Sequence, residues 1–159
     1  MSDIAPHYLK AWVTFDLPLR FRMRGESMRS SFPPGVSLVV RGVAADCVSA
    51  GDALVYSDAG TVICHRVVRR RRTRHAGWTF FAAGDSSPAG GAWVAEHDVI
   101  GKVVAVDRGG LVTGTDTWWQ RTRGLAAAIR ALTLTHAFAA LSRIKRLRHR
   151  RLANGAPAL

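Results

Sequence analysis

Three short segments of this chain carry side chains that together could perform nucleophilic catalysis. Arg24-Gly25-Glu26-Ser27-Met28-Arg29 supplies a hydroxyl, Cys64-His65-Arg66 an imidazole, and Gly84-Asp85-Ser86 a carboxylate. A serine hydroxyl is a weak nucleophile unless a neighbouring base removes its proton. Imidazole suits that task near neutral pH, and a carboxylate can orient the ring and stabilise its protonated form. The chemistry on offer is that of a serine hydrolase.

Local context sharpens each assignment. Ser27 comes directly after a strand-like run and stands behind Gly25. The glycine permits close approach of a substrate and lets the Ser27 amide point at a developing oxyanion. Gly25, Ser27 and Met28 are therefore the candidate oxyanion and substrate-binding residues. His65 lies within Thr61-Val62-Ile63-Cys64-His65-Arg66-Val67-Val68; on strand alternation it shares a face with Ile63 and Val67. Partial desolvation there keeps the ring neutral and available as a base. Cys64 points the other way and cannot be a nucleophile partnered by its neighbour. Asp85 follows the strand-like run Thr79 to Ala83 and a glycine. Taken singly, a turn serine, a core histidine and a Gly-Asp turn are the commoner readings of these residues.

The elements that must position them read as strands. Residues 19–24 alternate Leu19, Phe21 and Met23 with Arg20, Arg22 and Arg24, the period of a half-buried strand. Ser37 to Val40, Ala53 to Tyr56, Val62 to Val68, Trp78 to Ala83 and Val99 to Val106 follow, separated mostly by Gly and Asp. Short strands with regular turns predict a mainly antiparallel folded sheet or barrel. Arg69-Arg70-Arg71-Arg72-Thr73-Arg74 reads as an exposed hairpin tip.

In combination, the segments carry a resemblance. Gly25-Glu26-Ser27-Met28-Arg29-Ser30, Gly51-Asp52-Ala53-Leu54-Val55-Tyr56, His65-Arg66-Val67, Gly84-Asp85-Ser86-Ser87 and Val99-Ile100-Gly101-Lys102-Val103 resemble the motifs of the type I signal peptidase family. The likeness is to the branch with histidine as base, as in archaeal and endoplasmic-reticulum signal peptidases. It implies a largely antiparallel β fold over roughly residues 20–107, with Ser27 as nucleophile, His65 as general base and Asp85 as orienting acid. It also implies a precursor polypeptide as substrate, cut after small residues such as alanine. The chain departs from the pattern where Ser30 replaces a proline, Val36 an acid, and Gly91 the second carboxylate of the last motif. Asp85 must then act alone.

Two rival mechanisms fit less well. A Ser/Lys dyad needs lysine where His65 stands, and the three lysines are Lys10, Lys102 and Lys145. A self-cleaving repressor needs a scissile Ala-Gly ahead of the serine, and every Ala-Gly pair follows Ser27. A reading of another class is a non-catalytic membrane- or nucleic-acid-binding module on a degenerate peptidase fold.

Size and charge set the frame. The 159 residues hold 23 basic and 11 acidic side chains, a net charge of +12, which favours anionic partners. The division expected is a lead-in at 1–18, a catalytic domain at 19–112 and a C-terminal basic amphipathic helix and tail at 113–159. Within the tail, Leu125 to Leu141 is the helix candidate. Trp118-Trp119, that apolar helix and the basic run Arg143 to Arg151 suit an anionic membrane surface, so peripheral membrane association through residues 118–152 is expected. A cytoplasmic location is the alternative. Nucleic-acid binding is disfavoured because aromatics are not interleaved with the arginines. The amino terminus does not read as a secretory signal, and no long uncharged run predicts a spanning helix. Cys47 and Cys64 fit no metal spacing, and no cofactor or metal is implied.

Overall fold

The computed structural model describes residues 17–75, 77–86 and 91–115, together with Thr122, Arg123, Ala126, Ile129, Arg130 and Thr133. Eight strands form one sheet: β1 (Leu19–Arg22), β2 (Ser37–Arg41), β3 (Ala53–Asp58), β4 (Thr61–Thr73), β5 (Gly77–Ala83), β6 (Gly91–Ala95), β7 (Val99–Arg108) and β8 (Leu111–Gly114). Their order is β1-β2-β7-β3-β4-β5-β6, and every pairing is antiparallel. One edge of β7 is shared, with β3 on its first half and β8 on its second. The expected mainly antiparallel β architecture is present. It is an open folded sheet, since no pairing joins β1 to β6 among the described residues.

Alternation explains how one sheet supports two cores. β3 reads Ala53-Leu54-Val55-Tyr56, and all four side chains are buried, so the strand is covered on both faces. Ala53 and Val55 pack with Met28, Phe32, Leu38, Val40, Ile100, Val103 and Val106. On the other face, Leu54 joins Val48, Val67 and Phe80, while Tyr56 joins Ala82 and Val94. The β3–β4 turn is the two-residue Ala59-Gly60, with φ of +46° and +81°. Positive φ at both positions is the type I′ geometry that matches strand twist. It sets the register Leu54 opposite His65 and Tyr56 opposite Ile63.

The arginine run corrects the expectation of a loop. Arg69 to Thr73 continue β4 and pair with β5, from Arg69 opposite Phe81 to Thr73 opposite Gly77, after a bulge past Val67. Successive side chains leave on opposite faces, which separates the like charges. The Arg70 guanidinium lies 4.8 Å from the Trp78 ring and donates to the Asp46 and Val48 carbonyls. Arg71 stacks 4.2 Å over Trp93 of β6. Aromatics are therefore interleaved with the arginines, by cross-strand register and not by sequence proximity.

The six described residues beyond Thr115 have helical backbone. The rest of the expected C-terminal helix Leu125 to Leu141, Trp118-Trp119, the basic end of the tail and residues 1–16 lie outside the described residues. No described helix is long and apolar enough to cross a membrane.

Candidate active site

Ser27 sits in a tight turn after β1. Arg29 N–H donates to the Glu26 carbonyl, and the Ser31 and Phe32 amides both donate to the Met28 carbonyl. Met28 is fully buried among Phe32, Leu38, Val55 and Val106. Its side chain anchors the turn and leaves Ser27 half-buried at the surface. The Met28 side chain, expected among the oxyanion and substrate-binding residues, is buried in the core, where it holds the nucleophile's turn in place.

A second loop, Gly84–Ser86, closes against this turn. Ser86 N–H donates to the Ser27 carbonyl at 2.8 Å, and Ser30 N–H to Ser86 Oγ at 3.0 Å. The approach requires glycine at position 84, because a Cβ there would lie 2.8 Å from both Ser27 Cβ and the Ser27 carbonyl oxygen. Gly25, by contrast, has no atom within 4 Å of a would-be Cβ. It borders a cleft of about 320 Å³ lined by Phe21, Met23, Leu38, Val55, Ile63 and Cys64, with Ser27, Arg22 and Arg24 also on its wall.

His65, in the middle of β4, meets Ser27. Its Nε2 lies 3.2 Å from Ser27 Oγ and its Nδ1 3.1 Å from Tyr56 Oη. Tyr56 is opposite Ile63 and so is the diagonal neighbour of His65 on the same sheet face. Burial lowers the His65 pKa below the ordinary histidine value; the nearby Asp85 charge acts in the opposite sense and is the smaller effect. The ring is thus neutral near pH 7. Burial, with Asp58 and Cys64 adding to it, pushes the Tyr56 hydroxyl up to about 12, so it stays protonated. With the proton on Nδ1, the ring donates to Tyr56 Oη and Nε2 accepts from the Ser27 hydroxyl.

Asp85 follows β5 as expected, but its hydrogen-bond partner is not His65. Its carboxylate is fully buried and engages Arg66: Nε donates to Oδ1 at 3.2 Å and Nη2 to Oδ2 at 2.8 Å. The Ser31 hydroxyl donates to the same Oδ2, while Arg66 also donates to Ser31 Oγ and to the Gly51 carbonyl. His65 and Arg66 are adjacent on a strand and face opposite ways. The carboxylate binds the permanent cation, where two parallel hydrogen bonds are available, and the Nδ1 position of His65 is filled by Tyr56. Asp85 therefore joins the turn of Ser27, β4 and the Gly51 corner, and reaches His65 only through its field.

The remaining candidates sort simply. Cys64 packs against the core, and burial pushes its thiol up to about 12, so it holds no reactive thiolate near pH 7. Cys47 is exposed and unbridged. Lys102, the one lysine among the described residues, pairs with Asp52 at 3.5 Å. Gly91, in β6, pairs with Ala83, and a Cβ would lie 2.4 Å from the Ala82 carbonyl oxygen. A second acid is sterically barred at that position. Among the described residues no group of His, Cys, Asp and Glu side chains could hold a metal ion.

Tyr56, Arg66, Ser31 and Arg130 are the site residues that sequence reasoning missed. The tight Asp58-Ala59-Gly60 turn was the available signal for Tyr56: counting back from it places Tyr56 beside His65. Nothing local marks Ser31 or Arg130, whose partners come from 54 and 45 residues away along the chain. No protein-family model matches the chain, and no curated protein sequence matches it.

Proposed function

We propose that the protein is a serine endopeptidase resembling signal peptidase, working by a Ser/His mechanism. The observation that carries this reading is the 3.2 Å contact between Ser27 Oγ and His65 Nε2, made to a ring that burial keeps neutral. Ser27 Oγ attacks the scissile carbonyl as Nε2 takes its proton; the imidazolium then passes that proton to the leaving amine, and water resolves the acyl-enzyme through the same base. Tyr56 Oη accepts from Nδ1–H throughout, which fixes the tautomer and the ring plane. Asp85 holds the Ser27 turn through Arg66 and Ser31 and contributes a stabilising field to the imidazolium. The Ser27 amide serves the oxyanion.

The cleft supports a peptide substrate. β1 hydrogen-bonds a strand on one side only among the described residues, and Phe21 to Arg24 line the cleft beside Ser27. An extended chain laid there can pair with an open strand edge and set small apolar side chains among Phe21, Met23 and Leu38. Residues 118–152 are proposed to add an anionic membrane surface as a partner; flotation with anionic and neutral vesicles at low salt tests that part separately.

The test of the peptidase uses the full chain and its Ser27→Ala and His65→Ala variants, incubated with precursor peptides carrying alanine before the cut. Products are read by mass spectrometry, and active-site labelling by a fluorophosphonate probe. Cleavage and labelling by wild type alone are expected, with rates that rise with pH through a midpoint below the ordinary histidine value. Cleavage that persists in both variants, or a wild type inert to peptide and probe, would overturn the proposal.

A further inference from the structure

Arg130 belongs to the C-terminal segment yet reaches the turn that presents Ser27. Its Nη2 donates to the Ser30 hydroxyl at 2.8 Å and to the Asp85 carbonyl oxygen at 2.7 Å. These two acceptors lie on the two loops that close over each other at Ser27. Ser30 is exposed on the outer half of the turn, and its own amide is held by Ser86 Oγ. Asp85 immediately precedes Ser86, whose amide holds the Ser27 carbonyl. A single guanidinium thus draws both loops together from outside, while Met28 and the Arg66–Asp85–Ser31 network hold them from inside. Hydrogen bonds from a charged donor are stronger than neutral ones, and a planar fork with fixed donors loses little freedom on binding two acceptors. The hydroxyl at position 30, where the resembled motif has proline, is what gives Arg130 its first acceptor.

The geometry points to Arg130 as a positioning residue for the nucleophile: its guanidinium clamps the Ser27 turn onto the Gly84–Ser86 loop and is part of the site's machinery. The clamp itself is independent of chemistry; its effect on Ser27 reactivity rests on the Ser/His peptidase reading. Arg130, which lies in the region expected to contact a membrane surface, then serves the active site as well.

Two measurements on the full-length protein test this. Hydrogen exchange followed by mass spectrometry reads the clamp: in Arg130→Ala, peptides covering 26–31 and 84–86 exchange faster, while β2, β3 and β7 keep wild-type protection. Fluorophosphonate labelling reads the consequence: Arg130→Ala labels about tenfold or more slowly, the size expected for losing a charged hydrogen-bond donor. The pH midpoint of labelling stays at the wild-type value because His65 is untouched, and Arg130→Lys recovers part of the rate. Ser30→Ala slows labelling as well, and adding it to Arg130→Ala costs less than its effect alone. Wild-type exchange in both loops would overturn the clamp, as would loss of protection spread through β2, β3 and β7, which would mark a general stabilising contact. Wild-type labelling rates in Arg130→Ala, with Ser27→Ala unlabelled, would overturn the positioning role. A wild type that does not label at all removes the peptidase reading, and the exchange data alone then decide whether Arg130 joins the loops.

Discussion

Replacing Asp85 by Asn separates the two roles a buried carboxylate could play here. In the structure the Asp85 and Arg66 side chains are 0% and 8% exposed. Asparagine keeps the shape but removes the charge and turns one of the two acceptor oxygens into a donor facing Arg66, so the guanidinium remains buried with no counter-charge, held by one amide oxygen, the Ser31 hydroxyl and the Gly51 carbonyl. Breaking a buried pair by neutralising one partner costs about 3–5 kcal/mol, a large share of the roughly 5–15 kcal/mol that holds a domain folded. At a urea m-value of about 1.5–2 kcal/mol/M, the unfolding midpoint falls by roughly 2 M. Tryptophan fluorescence during urea titration measures this. A Arg66→Met/Asp85→Leu double variant, which removes both charges, recovers much of the loss. The chemistry responds differently. The Asp85 charge raises the His65 pKa against the larger lowering by burial, so its removal moves the pH midpoint of probe labelling further down, while folded protein still labels. An Asp85→Asn protein that keeps its stability to within about 0.5 kcal/mol but loses labelling would refute this account and restore Asp85 as the acid that orients His65.

Three further outcomes are expected. Gly84→Ala places a methyl 2.8 Å from Ser27 Cβ and from its carbonyl oxygen; the shift forced on Ser27 lowers labelling about hundredfold, and wild-type rates in that variant would mean the two loops do not meet as described. Tyr56→Phe keeps the buried ring and removes the Nδ1 partner, so labelling slows about five- to thirtyfold with little change in stability; an unchanged rate would remove Tyr56 from the mechanism. His65 resists protonation when folded, whereas the unfolded chain takes up the proton near pH 6.5. Its contribution to stability is therefore lost as pH falls from about 6.5 toward the lowered folded value. Urea titrations of wild type and His65→Gln across that range should differ in slope, and parallel curves would contradict the burial of a neutral ring.

Much of the scaffold was legible in the chain. Period-two alternation marked β1, and apolar runs between Gly and Asp marked β2, β3, β5, β7 and the first half of β4. The two strands that were not marked, β6 and β8, are short, and six of their nine residues are exposed, so neither shows a buried period. The arginines of β4 misled for a related reason. A run of like charges reads as a solvated loop, but strand geometry sends neighbouring side chains to opposite faces, and Trp78 and Trp93 arrive from other strands to receive them. Met28 was expected among the oxyanion and substrate-binding residues, and the turn points its side chain inward.

What the sequence determined by itself was the chemistry available: a serine after a strand, a histidine within one, and no lysine where a base was needed. Residue type and strand period are local properties, and they suffice to bring Ser27 and His65 into the account. The tertiary structure decided which group serves which. His65 and Arg66 leave β4 on opposite faces, so one carboxylate cannot orient both, and Asp85 went to the cation that two hydrogen bonds could hold. The place beside Nδ1 was filled by Tyr56 through the register of a two-residue turn. Partner choice of this kind depends on which surfaces meet when distant segments pack, and that is not written in the spacing of the residues involved.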